Sequence, residues 1–235
     1  MASLEYLMTV LPSLPAELGE KASIEEAYRI IRDEDNSKLN YLVDLLSVEE
    51  EIAKCGLQYF VQENKTYEAE LSVELPENFI NIFNSYKDKS EAEWMTSVYE
   101  AWFDLVVSTG ESTGAKFIRE WAKWEYSLRI NLMFDRLKRA GVEFEPDSLT
   151  PDFMKFGFEY DTTPIIDEYR KISEPMKAEK ALDQARLDFI RNSAISYSFS
   201  ADELVAYILE LRIYARYARL SPELGRKILQ EVTAL

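Results

Sequence analysis

The stretch FIREWAKWEYSLRINLMFDRLKRAG, residues 117–141, decides the fold. Phe117, Trp121, Trp124, Leu128 and Leu132 recur at three- and four-residue steps, the spacing of an apolar helical stripe, and Tyr126, Ile130, Met133 and Leu137 form a second apolar face behind it. Glu125, Arg129, Asn131, Asp135 and Arg136 sit in or beside these faces. A helix that is apolar on two sides with ionic seams between them belongs inside a multi-layered helical domain, where seam charges must find partners as neighbours approach. Glu125 and Arg129 stand in the favourable Glu-first i,i+4 order, as do Asp135 and Arg139. Exposed, such a pair contributes about 0.3–0.5 kcal/mol; buried, loss of one partner costs about 3–5 kcal/mol. Three readings remain open for these charges: packing within the chain, a contact surface for another protein and, last, catalysis.

The segment SADELVAYILELRIYARYARL, 200–220, repeats the pattern. Leu204, Tyr207, Ile208, Leu211 and Ala215 lie on one face and Leu209, Ile213, Tyr217 and Leu220 on the other. Glu203 and Glu210 line one seam, and Arg212, Arg216 and Arg219 the opposite one.

Helix starts punctuate the rest. Ser23 with Glu26, Ser47 with Glu50, Ser90 with Glu93 and Ser200 with Glu203 have capping-box spacing, and Thr150-Pro151 and Ser221-Pro222 place proline at a first helical position. These signals predict helices over 24–34, 37–46, 48–62, 77–87, 91–107, 113–140, 164–173, 176–195, 201–219 and 222–234. Only YEAELSVEL, 67–75, alternates with period two, as a short extended linker or a lone edge strand would. The expectation is an all-α, two-layered or two-lobed array. Residues 1–140 form an N-terminal lobe and 141–163, with two glycines and three prolines within 141–164, a hinge; 164–235 form a C-terminal lobe packing on the 113–140 helix, or the whole is one continuous domain.

Composition narrows function. The 235 residues carry 43 acidic and 27 basic side chains, a net charge of −16, which repels nucleic acid and anionic lipid. No run approaches the roughly 20 apolar residues of a membrane span, and MASLEYLMTVLPSLP lacks the basic start of a secretory signal; a cytoplasmic protein without direct membrane insertion is expected. Cys55 is the only cysteine and histidine is absent, which removes disulfides, thiolate clusters, Ser-His-Asp and Cys-His nucleophile systems and the HExxH zinc helix.

Three apparent sites fail on detail. STGESTGAKF, 108–117, lacks Walker spacing and has Phe117 where a hydroxyl is needed; it reads as a turn with Gly110 near a helix C-cap and Ser112 or Thr113 starting the next helix. Asp33, Asp35 and Ser37 have calcium-loop spacing, but Lys38 replaces the glycine and Asp44 the closing Glu; Asn36 or Ser37 as a helix cap fits better. The run VEEE, 48–51, with Glu17 and Glu20, suggests a helical magnesium pyrophosphohydrolase, yet the second carboxylate set is missing and first-turn acids fit the helix dipole. No catalytic, cofactor-binding or metal residue is assigned.

In Trp121, Glu125, Arg129, Asn131 and Arg136, then Phe199, Tyr207, Leu211, Arg216 and Gly225, with the opening EYLMTVLPSLP, the chain resembles a bacterial family encoded in V/A-type ATPase operons. That family is similar to the C-type (d-type) stalk component of these rotary ATPases. The resemblance implies a non-catalytic helical adaptor that couples the central stalk to the membrane rotor ring, peripherally associated with the inner membrane through the complex and needing no cofactor. The C-type components are longer, with three similar lobes, so the chain supplies part of that plan. A helical scaffold unrelated to the ATPase and an all-α metal-dependent hydrolase are the alternatives.

Overall fold

The computed structural model describes residues 4–34, 36–71, 73–141, 160–194 and 198–219. Within them the fold is all-α. Nine α-helices follow in order: α1 (Leu4–Val10), α2 (Ile24–Arg32), α3 (Ser37–Gly56), α4 (Glu77–Asn84), α5 (Glu91–Thr113), α6 (Lys116–Arg139), α7 (Thr163–Lys171), α8 (Pro175–Ser193) and α9 (Ala201–Arg219). A π-turn, Leu57–Val61, extends α3, and a 3-10 turn, Ser85–Lys87, extends α4. No strand occurs among the described residues, and 67–71 and 73–75 are neither helix nor strand. The predicted 222–234 helix, Thr150-Pro151, Ser221-Pro222 and Gly225 lie outside the described residues, as does most of the hinge.

The chain forms two compact units, Met1–Asn36 with Glu168–Leu235, and Ser37–Asp167. Their limits differ from the lobes drawn from sequence, because the first 36 residues group with the C-terminal segment instead of with α3–α6. The physical reason lies partly in Tyr207 of α9, whose hydroxyl donates to the Pro12 carbonyl at 2.7 Å, and partly in the packing of α2 on α9. Helix α1 has no counterpart among the helices predicted from sequence; Leu7 is its buried residue.

The central unit is built on α5. Trp94 and Trp102 are buried on it completely, and each indole N–H meets a carbonyl, Trp94 that of Phe83 at 2.8 Å and Trp102 that of Leu45 at 3.0 Å. A buried indole needs such a partner because its N–H loses water on folding. Those two bonds tie α5 to α4 and α3. Phe79, Phe83, Tyr86 and Trp94 make one aromatic cluster, and Trp102, Phe103, Trp121 and Tyr126 join α5 to α6 edge-to-face, with ring centroids 6.0 Å apart for Trp102–Trp121.

Two boundary predictions change. Helix α3 is continuous where a break was expected at Ser47: its hydroxyl donates back to the Asp44 carbonyl at 2.6 Å instead of capping a new helix, and Leu45, Leu46 and Val48 on either side are buried. Helix α5 runs to Thr113, so Gly110 is inside it, and the C-cap is Gly114 in the left-handed region at φ 77°. Ser112 and Thr113 bond back to the Thr109 carbonyl, and Thr113 also to that of Gly110, instead of starting α6. Gly110 has its own reason: a Cβ there would lie 2.0 Å from Cγ2 of Ile118, so its absence lets α5 and α6 approach closely.

Among the four boxes, Ser90 and Glu93 form the complete reciprocal pair; Ser23 makes no side-chain cap bond. At α9, Glu203 N–H reaches Ser200 Oγ at 3.4 Å, while the Glu203 carboxylate takes the Phe199 amide at 2.7 Å, one residue earlier than a box requires.

Candidate functional site

The residues singled out on α6 come together around Arg129. Its Nε donates to Glu125 Oε1 at 2.8 Å and its terminal nitrogen to Glu49 Oε1 on α3, while the guanidinium carbon lies 4.7 Å from the Tyr99 ring centroid on α5. Glu125 is 1% exposed. Thus one planar cation joins three helices of the central unit, using the fork for two carboxylates and its face for an aromatic ring. Desolvation pulls Arg129 down, but the carboxylates of Glu49 and Glu125, with Tyr99, hold it well above its ordinary pKa. Burial raises the Tyr99 phenol despite the opposing pull of Arg129.

Trp121 is buried against Trp102 and Phe103. Asn131 donates to Thr162 Oγ1 at 2.6 Å, and the backbone carbonyl of Thr162, a fully buried residue, accepts the Ile165 and Ile166 amides at the start of α7. Asp135 is buried with Arg139 Nε at 3.0 Å. Arg136 is exposed and outside this arrangement.

A second ionic seam lies in the unit formed by the two ends of the chain. Asp183 on α8 is fully buried and holds Arg216 of α9 and Arg186, the latter at 3.1 Å. Glu210 accepts Arg191 Nε at 2.8 Å, and the same guanidinium donates to the Tyr214 hydroxyl at 2.7 Å. Desolvation raises the Asp183 and Glu210 carboxyls, with the arginines opposing it. The stretch of α9 from Leu204 to Ala215 is buried throughout, as its two apolar faces require. Tyr207 points to Pro12, and burial, then Glu26, push its phenol up.

Sequence reasoning misses two partners. Glu49 belongs by sequence to an acidic first turn, but α3 places it mid-helix, 80 positions from Arg129. Asp183 carries no motif of its own, although its place beside Leu182 and three residues before Arg186 has the same apolar-plus-ionic signature as α6. The rejected sites hold nothing new: Glu20 closes a turn with the Ala16 and Glu17 amides, Asp33 pairs with Arg29 at 3.8 Å, and Asp35 lies outside the described residues. Among the described residues, no three His, Cys, Asp or Glu side chains are grouped so as to hold a metal ion.

What fold and site define is an all-α protein in which Glu125, Glu49 and Arg129, and Asp183 with Arg186 and Arg216, are spent on one another. Compared with protein-family models, curated proteins and solved structures, the chain matches none. No described helix is long and apolar enough to cross a membrane.

Proposed function

We propose that the chain is a non-catalytic, C-type component of a V/A-type rotary ATPase that couples the central stalk to the membrane rotor ring from the cytoplasmic side. The likeness of α6 and α9 to the operon-encoded family supplies the ATPase context. One observation carries the mechanical part: Arg129, bound by Glu125 and Glu49 and laid on Tyr99, ties α3, α5 and α6 together. Such a brace resists sliding between helices, because displacement strips a buried carboxylate of its partner. A torque-transmitting adaptor needs that stiffness. The net charge of −16 suits contact with basic surfaces of a stalk or ring.

The test is affinity purification of the tagged full chain from its native cell in mild detergent. Central-stalk or ring proteins of the ATPase are expected in the eluate at stoichiometric amounts. A clean preparation containing neither overturns the assignment.

A further inference from the structure

Tyr59 and Phe60 stand on the π-turn that extends α3, their rings at 81° and their centroids 5.2 Å apart, so that they make a two-walled aromatic corner. Tyr86 backs the Tyr59 wall with centroids 4.9 Å apart, and Trp94 the Phe60 wall at 5.6 Å. A cation already sits in the corner. The Lys65 ammonium lies 4.1 Å from the Tyr59 centroid and 5.7 Å from that of Phe60, and donates to the Tyr59 carbonyl at 3.1 Å. Two ring faces with one carbonyl oxygen recognise a primary ammonium, since a quaternary one has no N–H for the carbonyl. The resident lysine is loosely held. Residues 61–66 are exposed throughout, and a cation–π contact open to water is weak. Glu63, two positions before Lys65, holds φ 53°, a left-handed conformation that is costly for a residue with a Cβ. Release of Lys65 lets Glu63 relax, which offsets part of what the contact contributes. On the same turn as the rings, Leu57 and Val61 leave large apolar side chains 47% and 63% exposed.

We propose that the Tyr59–Phe60 corner is a receptor for a lysine side chain of another protein, with Lys65 as its displaceable plug. The incoming ammonium takes over the two rings and the Tyr59 carbonyl. Apolar neighbours of that lysine then cover Leu57 and Val61, a cover that Lys65, flanked by the polar Asn64 and Thr66, does not supply. The gain over the plug is this apolar burial, because the ammonium exchanges like for like. Charge favours the same occupant: Glu63 is exposed beside the plug, and the net charge of −16 attracts basic segments. The receptor rests on the geometry of the central unit and stands independently of the ATPase assignment.

The experiment follows the amide and aromatic-ring NMR signals of the full chain during titration with end-blocked Val-Lys-Val, with Val-norleucine-Val, which lacks the ammonium, and with spermidine. The lysine peptide should shift the signals of residues 57–65. Lys65→Ala should tighten its binding about threefold, because the competing occupant is gone. Tyr59→Leu, which keeps an apolar side chain without the ring face, should weaken binding about fivefold. Circular dichroism verifies the fold of both variants. Equal binding of the norleucine peptide means an apolar patch alone and overturns the proposal. So does preference for spermidine, which means a free polyamine site, and so does binding that Lys65→Ala leaves unchanged or weakens, or the absence of any shift at 57–65.

Discussion

Glu125 accepts the Nε of Arg129 at 2.8 Å one helical turn away, with 1% of its surface in water. A carboxylate so placed is tolerable only while the guanidinium stays, since a buried ion stripped of its partner keeps its desolvation cost and loses its attraction. The pair also couples local to long-range structure, because the same guanidinium reaches Glu49 on another helix.

Replacing Arg129 with Met should therefore destabilise the central unit by about 3 kcal/mol, and adding Glu125→Met and Glu49→Met should restore much of it. All four tryptophans lie in that unit, so indole fluorescence during urea unfolding reads it directly. A triple variant no more stable than Arg129→Met would refute the desolvation argument.

The other unit should respond to acid in a defined direction. Asp183 and Glu210 titrate above their ordinary 3.8 and 4.5 in the fold, chiefly through desolvation. The native state thus holds more protons than the unfolded chain across the interval between ordinary and raised values. The stability contributed by these groups declines as pH rises through that interval and is level above it. Asp183→Asn with Glu210→Gln should flatten this dependence when unfolding is followed by hydrogen exchange in α8 and α9.

Capping predicts a contrast between two serines. Ser90→Ala removes a complete capping box and should cost about 1 kcal/mol. Ser47→Ala, inside α3, should stay within about 0.5 kcal/mol, because its hydroxyl merely doubles up on a carbonyl. Thermal unfolding of the two variants separates them.

Gly110→Ala should destabilise the α5–α6 pair by about 1–3 kcal/mol through overpacking, given the 2.0 Å approach of its Cβ to Ile118. In a double-mutant cycle Ile118→Ala should relieve part of that cost. Additive losses would show that the contact with Ile118 is not the cause.

Tyr207→Phe should cost about 1 kcal/mol, by removing the bond to the Pro12 carbonyl. The readout is local: amide exchange should quicken in the segment around Pro12, and the central unit should be unaffected.

Much of the fold was legible in short-range pattern. The i,i+3 and i,i+4 spacing of Trp121, Trp124, Leu128 and Leu132 marks α6 because helical geometry alone puts them on one face, and Glu125 with Arg129 lies within the same turn. Ser90 and Glu93 were readable for the same reason, since a capping box closes over three residues. Signals that depend on which competitor wins read less well. Ser47 has cap chemistry in sequence, but burial of Leu45, Leu46 and Val48 along an unbroken helix outweighs it, and Gly110 resembles a C-cap until Ile118 is seen against it.

Local periodicity was therefore enough for α6 and α9, their two apolar faces and the presence of ionic seams, though not for α1 or for the continuity of α3. Which carboxylate meets which guanidinium was a tertiary decision. Glu49 with Arg129, Asp183 with Arg216, and Tyr207 with Pro12 are joined across 80, 33 and 195 positions. Periodicity reports the direction in which a side chain leaves its own helix, and pairing depends on how the helices stack, which is set by the volumes of the side chains buried between them, Trp94 and Trp102 in the central unit and Leu182, Leu187 and Ile208 in the other.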